Sequence, residues 1–203
     1  SYPFRMETSG QFLSQNRQEE IRPYETAPRP VVGYSKDYPA GLETGMHTHP
    51  RAQLLYAVSG VMRVDTLKSS FITVPSTALL LPADIEHAVQ MDGPVAMREL
   101  FFDESTAQRL NERTKVITIS PLLRALIVAV CAEPPHWDLE GRGYHLTELL
   151  IGEIGRARDL PLDLPMPNDS RLRRVALELK SRPNDRRSLE NWAELANTSS
   201  RTL

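Results

Sequence analysis

The apolar positions of this chain change their spacing partway along. From residue 31 to 102 they come in short runs of four to eight residues, broken at close intervals by Pro, Gly, Ser and Asp. The runs at 31–38, 54–58, 61–66, 71–74, 77–81, 87–91 and 95–102 predict strands, and Ser59-Gly60 predicts a tight hairpin. Many short strands with turns between them imply an antiparallel sandwich or barrel. From Ser120 the spacing becomes helical. Ser120-Pro121 reads as an N-cap followed by the first helical residue, and Leu122, Leu123, Leu126, Ile127 and Val130 recur at three and four. Pro134-Pro135 ends that run. Residues 144–158 repeat the period with Leu146, Leu149, Leu150 and Ile154. Gly152 and Gly155 weaken this second helix by about 1 kcal/mol each but leave room for another helix to come close. Leu122, Leu126, Val130, Leu146, Leu150 and Ile154 are expected to be buried, on the β domain or against a second subunit.

The flanks read differently. Residues 1–28 show no sustained period and are expected to be an irregular lead-in. Residues 103–113 are polar and helical in character, and 116–119 form a short extended link. The segment 159–167, DLPLDLPMP, carries three prolines in nine residues and reads as an extended linker. It runs into Asn168-Asp169-Ser170, an N-cap cluster. A helix over 171–181 follows, closed by Pro183, with Leu172, Val175, Ala176 and Leu179 on one face. Ser188 caps a further helix bearing Leu189, Trp192, Ala193 and Ala196. Asn197-Thr198 breaks it, and Ser199 is placed to cap another helix starting at Ser200. Helix, short turn, helix is a DNA-binding geometry as well as a common helical hairpin.

Composition narrows the setting. Net charge is -2, and no apolar run is long enough to span a membrane. The start lacks the apolar core of a signal peptide and an initiator Met. The single cysteine, Cys131, lies in an apolar helical stretch and reads as a small buried hydrophobe in a reducing, cytoplasmic compartment. Residues 168–203 hold eight Lys or Arg against five Asp or Glu, so a +3 tail follows a body of -5. That sign suits a polyanion such as DNA at the tail.

The candidate chemistry sits in GLETGMHTHPRAQLLYAVSG, residues 41–60. His47 and His49 are two apart in a β-like stretch, so both imidazoles point to one side. A turn or bulge at Pro50 returns Gln53 to that side, and His87 follows Pro82 at another turn-to-strand junction. Three imidazoles and an amide oxygen suit a divalent transition metal such as zinc, nickel or iron, with nitrogens at about 2.0–2.2 Å from a zinc-like ion.

These residues resemble the cupins. Gly41, five residues, His47-x-His49, three residues, Gln53, six residues and Gly60 follow the first cupin motif, with Gln53 in place of Glu. In the second motif Pro82 and His87 match, while Ser76, Asp84 and Met91 replace two Gly and an Asn. The resemblance implies a cupin-type antiparallel β-barrel over 29–113, with His47, His49, His87 and Gln53 as metal ligands. The tail resembles the first half of the DNA-binding domain of AraC/XylS-type regulators through Arg171-Leu172, Ser188-Leu189-Glu190, Trp192-Ala193, Ala196, Ser199 and Arg201-Thr202-Leu203. Asn197 stands where that family usually has Gly.

Together these resemblances imply a bacterial transcriptional regulator rather than an enzyme. Its parts are a lead-in (1–28), an effector-sensing barrel (29–113), a helical dimerisation or capping region (114–160), and a linker with the start of the DNA-binding domain (161–203). Ser199, Ser200, Arg201 and Thr202 are the expected DNA-facing residues, a small-molecule effector and promoter DNA the expected partners, and a homodimer the expected state. The resemblance stops inside the first recognition helix, so a cut or shortened chain is expected, with specific DNA binding only once downstream sequence is present. The competing reading is a metal-dependent cupin enzyme, a dioxygenase or isomerase. The proline-rich linker and the tail argue for the regulator.

Overall fold

The computed structural model describes residues 10–111, 113–182 and 184–202. They form two compact units: residues 10–66 with 71–163, and residues 67–70 with 164–202.

The first unit is built on β1 (Val31–Tyr38), β2 (Ala52–Ser59), β3 (Met62–Thr66), β4 (Ser69–Thr73), β5 (Thr77–Leu81), β6 (His87–Met91), β7 (Val95–Phe102) and β8 (Lys115–Thr118). With the two-residue β9 (Asp159–Leu160), six strands make one sheet in the order β1-β7-β2-β5-β8-β9. The second sheet brings together β4, β3 and β6, and β10 (Asp163–Pro165) follows β9 in the chain. Strand β2 is buried on both faces, and its alternation sorts its side chains. Leu54 and Tyr56 pack under helices, while Leu55 and Ala57 join Met62, Val64, Val89 and Met91 between the sheets. Gln53 shares the parity of Leu55 and is likewise buried.

No closed barrel forms among the described residues, which corrects the expectation of one. The sheets are joined instead by the irregular stretch before β2. There Gly41 N donates to Met91 O, Thr44 N to Val89 O and His47 N to His87 O, each at 2.9–3.0 Å. Pro39, Pro50 and the left-handed angles of Gly41 (φ 76°) and Gly45 (φ 70°) keep this stretch from continuing as a regular strand.

Helix α1 (Gly10–Thr26) stands where an irregular lead-in was expected. It contains Pro23, and its stability comes from packing: Ile21 is wholly buried in a cluster with Tyr34 and Phe101. Residues 1–9 of that lead-in lie outside the described residues. Short α2 (Glu104–Arg109) is capped by Asp103. Ser120 Oγ accepts from Leu123 N at 3.0 Å to start α3 (Pro121–Cys131), and α4 (Arg142–Arg156) packs beside it. Leu123, Leu126, Ile127, Val130, Leu150 and Ile154 are buried on the six-stranded sheet. Leu122, expected inside, is 47% exposed, Leu146 is only partly buried, and Leu149 is 49% exposed. The apolar arc of each helix is wider than the surface the sheet covers. Gly152 and Gly155 have no neighbour near the place a Cβ would take. At Gly33, by contrast, a Cβ would lie 2.5 Å from Cys131 Cα, so α3 rests directly on the backbone of β1.

In the second unit the linker is short β10, with Met166 N donating to Lys68 O at 2.8 Å. Asp169 caps α5 (Ser170–Ser181), and Ser188 caps α6 (Leu189–Leu195). Val175, Trp192 and Ala196 form a small core with Leu172 and Leu195. Asn197 takes φ 49°, a left-handed angle that Asn tolerates. Pro183, expected to end α5, lies outside the described residues.

Candidate metal centre

The site is assembled from three places in the chain. His47 and His49 come from the irregular stretch joining the sheets, His87 opens β6, and Gln53 lies near the start of β2. An antiparallel bridge pairs His47 with His87, and Asp84 N donates to His49 O at 2.8 Å. Asp84, standing where the cupin motif has Gly, takes φ 59°. It therefore does the turn's work despite its side chain.

All three imidazoles are buried, and one nitrogen from each lies within 4.8 Å of the others. Their ring centres are 4.4–5.5 Å apart. Each Nδ1 is occupied: His47 donates to Gly45 O at 2.9 Å, His87 to Ile85 O at 2.8 Å, and His49 meets Glu25 Oε1 at 2.5 Å. A proton held at Nδ1 leaves a lone pair at Nε2, the tautomer a metal needs. The Nε2 atoms of His47 and His49 and Oε1 of Gln53 have no hydrogen-bond partner, and His87 Nε2 meets only the Gln53 amide nitrogen at 2.9 Å. Unmet buried acceptors are disfavoured by about 1–3 kcal/mol each. A cation at their convergence satisfies them together.

Electrostatics agree. Burial, with the neighbouring His87 imidazole, lowers the His47 pKa to about 3, and burial lowers that of His87 to about 4. Both are thus neutral and free to ligate at pH 7. The cluster is geometrically suited to a divalent transition metal. A metal held by neutral nitrogens with an open position can act as a Lewis acid. The expectation that the chain has no catalytic site is therefore corrected: the buried tri-histidine cluster is a potential catalytic as well as binding centre.

Three nearby residues escaped the sequence reading. Glu99 on β7 is fully buried; Oε2 meets Arg17 Nη2 at 3.3 Å and Oε1 lies 3.9 Å from His49 Nε2. Its signal was parity, since Val95, Met97, Glu99 and Phe101 alternate along one face of the strand. Arg17 and Glu25 come from α1, spaced four residues either side of buried Ile21. His136 and His145 do not join the cluster. Cys131 Sγ lies against Tyr34 O and Glu99 O, and burial pushes its pKa up to about 12, in keeping with a structural role. Ser199, Ser200, Arg201 and Thr202 occupy an exposed stretch of the second unit, closed by Thr202 N donating to Ser199 O at 2.9 Å. A turn rather than a helix is seen there among the described residues. Among the described residues, two of the tail's eight cations are locally paired: Arg171 with Asp169, and Arg187 with Glu178 and Asp185.

The molecule is thus a two-sheet β domain with packed helices and a buried tri-imidazole centre. The family described as the AraC-like ligand binding domain matches residues 30–164, and the chain belongs to that family. It is 24% identical over 162 residues to the HTH-type transcriptional regulator NimR of Escherichia coli (strain K12), spanning 80% of this chain and 59% of NimR. Among solved structures, ToxT from Vibrio cholerae O395 is similar over 84% of this chain and 73% of its own, at 9% identity and TM-score 0.48. The lyase DddQ from Ruegeria pomeroyi DSS-3 is similar over 37% of this chain and 39% of its own, at 21% identity and TM-score 0.35. No helix among the described residues is long and apolar enough to cross a membrane.

Proposed function

We propose that this chain is the effector-sensing part, with the first DNA-binding helices, of a cytoplasmic bacterial transcription regulator. A divalent metal held by His47, His49 and His87, with Gln53 beside them, takes part in sensing a small molecule. The observation that carries this reading is the convergence of three buried imidazoles, with Nε2 of His47 and His49 unpaired, inside a domain of the AraC-like ligand binding family. Residues 29–113 sense, 114–160 cap the domain and pair two chains, and 161–203 link to and begin the DNA-binding region. Ser199, Ser200, Arg201 and Thr202 face DNA in this reading, and the likeness to NimR supports it. Elemental analysis tests the metal, with about one ion per chain expected and loss in the His47→Ala, His49→Ala double variant. Chromatin immunoprecipitation of the protein expressed from its own gene tests regulation. Enrichment at promoters is expected; recovery spread evenly over the genome would sink it.

A metal-dependent enzyme is the second reading. It is favoured by the unpaired Glu99 oxygen 3.9 Å from His49 Nε2, a carboxylate base beside a metal position. Chemical change of a bound ligand, followed by NMR, separates the two.

A further inference from the structure

Beyond the imidazoles, the same interior holds a second set of polar atoms without partners. Glu99 Oε1 is one. Arg17 is 7% exposed, and its Nε and Nη1 have none either, while Nη2 holds Glu99. The Arg17 guanidinium lies 5.5 Å from the centre of the Tyr38 ring, whose hydroxyl is also buried and unpaired. Burial pushes that hydroxyl's pKa up to about 12, so it remains a donor. Arg17 and Tyr38 also line a neighbouring cavity of about 200 Å³ with Lys36, Leu42 and Thr44, rimmed by Glu20, Asp37 and Glu43 and not reaching the histidines or Glu99. That is smaller than the pockets of about 300–1,000 Å³ that hold drug-sized ligands.

These atoms ask for different things. Glu99 Oε1 needs a hydrogen-bond donor. Arg17 Nε and Nη1 and the Tyr38 hydroxyl need acceptors, best met by a charged carboxylate. A metal at the histidines takes an oxygen lone pair. A hydroxyl on the carbon next to a carboxylate meets all three demands. We propose that this domain binds a small 2-hydroxy carboxylate between the His47/His49/His87 centre and Arg17. The hydroxyl donates to Glu99 and turns its lone pair to the histidine side, and the carboxylate accepts from Arg17 and Tyr38. A 2-oxo acid has no hydrogen for Glu99, and an amide brings no charge to Arg17. The inference rests on the metal-dependent sensing reading above.

Titration calorimetry on the chain loaded with nickel tests it, using lactate and mandelate against pyruvate, benzoylformate and mandelamide. The hydroxy acids are expected to bind at least about tenfold more tightly than their oxo and amide counterparts. Arg17→Gln and Tyr38→Phe should each weaken mandelate binding by about tenfold with nickel content retained, and Tyr38→Phe should keep the circular dichroism melt. Tyr38→Phe removes only a hydroxyl, so it keeps the test open if Arg17→Gln unfolds. Equal binding of the oxo acid or the amide, undiminished binding by the variants, or no binding of either hydroxy acid to the nickel-loaded chain would overturn the proposal and leave the metal centre standing. Failure to take up nickel overturns the metal reading, and this inference with it.

Discussion

Glu25 Oε1 lies 2.5 Å from Nδ1 of His49, joining a helix before the first strand to the centre between the sheets. The two residues are 24 apart in sequence, and the contact sets both the tautomer and the tilt of the His49 ring. Replacing the carboxylate that steadies a ligating imidazole typically weakens metal binding 10- to 100-fold. Glu25→Ala is therefore expected to lower metal affinity by about that factor. Competition against a chromophoric chelator measures it, and an unchanged constant would show that Glu25 does not act through His49.

Gln53 and the histidines should separate in a metal assay. Substituting Ala for any one of His47, His49 and His87 removes a nitrogen ligand, and metal should be lost on gel filtration. Gln53→Ala removes a neutral oxygen and should retain metal at reduced affinity, read by elemental analysis after dialysis. Retention by all four variants alike would move the ion elsewhere.

Stability of the metal-free chain should depend on pH. His47 and His87 are held near 3 and 4 in the folded state, against 6.5 for a free imidazole. Above 6.5 both states are neutral and their contribution is full. As pH falls below 6.5 the unfolded chain takes up protons that the folded chain refuses, so stability drops until the folded groups titrate. Chelator-treated protein should melt at progressively lower temperature between pH 7 and about pH 4. His87→Gln should flatten that slope; a slope unaffected by the substitution would assign it to other groups.

Gly33 is where α3 touches β1. A Cβ there meets Cys131 Cα at 2.5 Å and Cys131 N at 2.7 Å, both backbone atoms that cannot turn aside. Gly33→Ala should destabilise the domain by about 1–3 kcal/mol in urea unfolding. A stability within error of the parent would mean the helix shifts freely on the sheet.

Leu122 and Leu149 remain exposed on α3 and α4, and paired half-sites on DNA would call for a paired protein. Light scattering is expected to give a dimer, and Leu122→Asp with Leu149→Asp a monomer. A wild-type monomer at every concentration removes the helices as a pairing surface.

Local spacing carried much of the fold. Strands β1, β5, β6 and β7 have the limits that alternation and turn residues mark out, because those signals act within a few residues. The Ser120 cap and the break at Asn197 were legible for the same reason, whereas the hairpin expected at Ser59-Gly60 does not form, because β2 and β3 pair into different sheets. His47, His49 and His87 were singled out by spacing and by a family resemblance. Their convergence with Arg17 and Glu25 was not legible, because it depends on α1 folding over the sheets through Ile21, with a proline in its own sequence and no strong period to announce it. Whether the sheets close, and whether Leu122 and Leu149 find cover, likewise depends on which edges and faces meet across long stretches of chain. Hydrophobic pattern states that a face is apolar; only packing determines what lies against it.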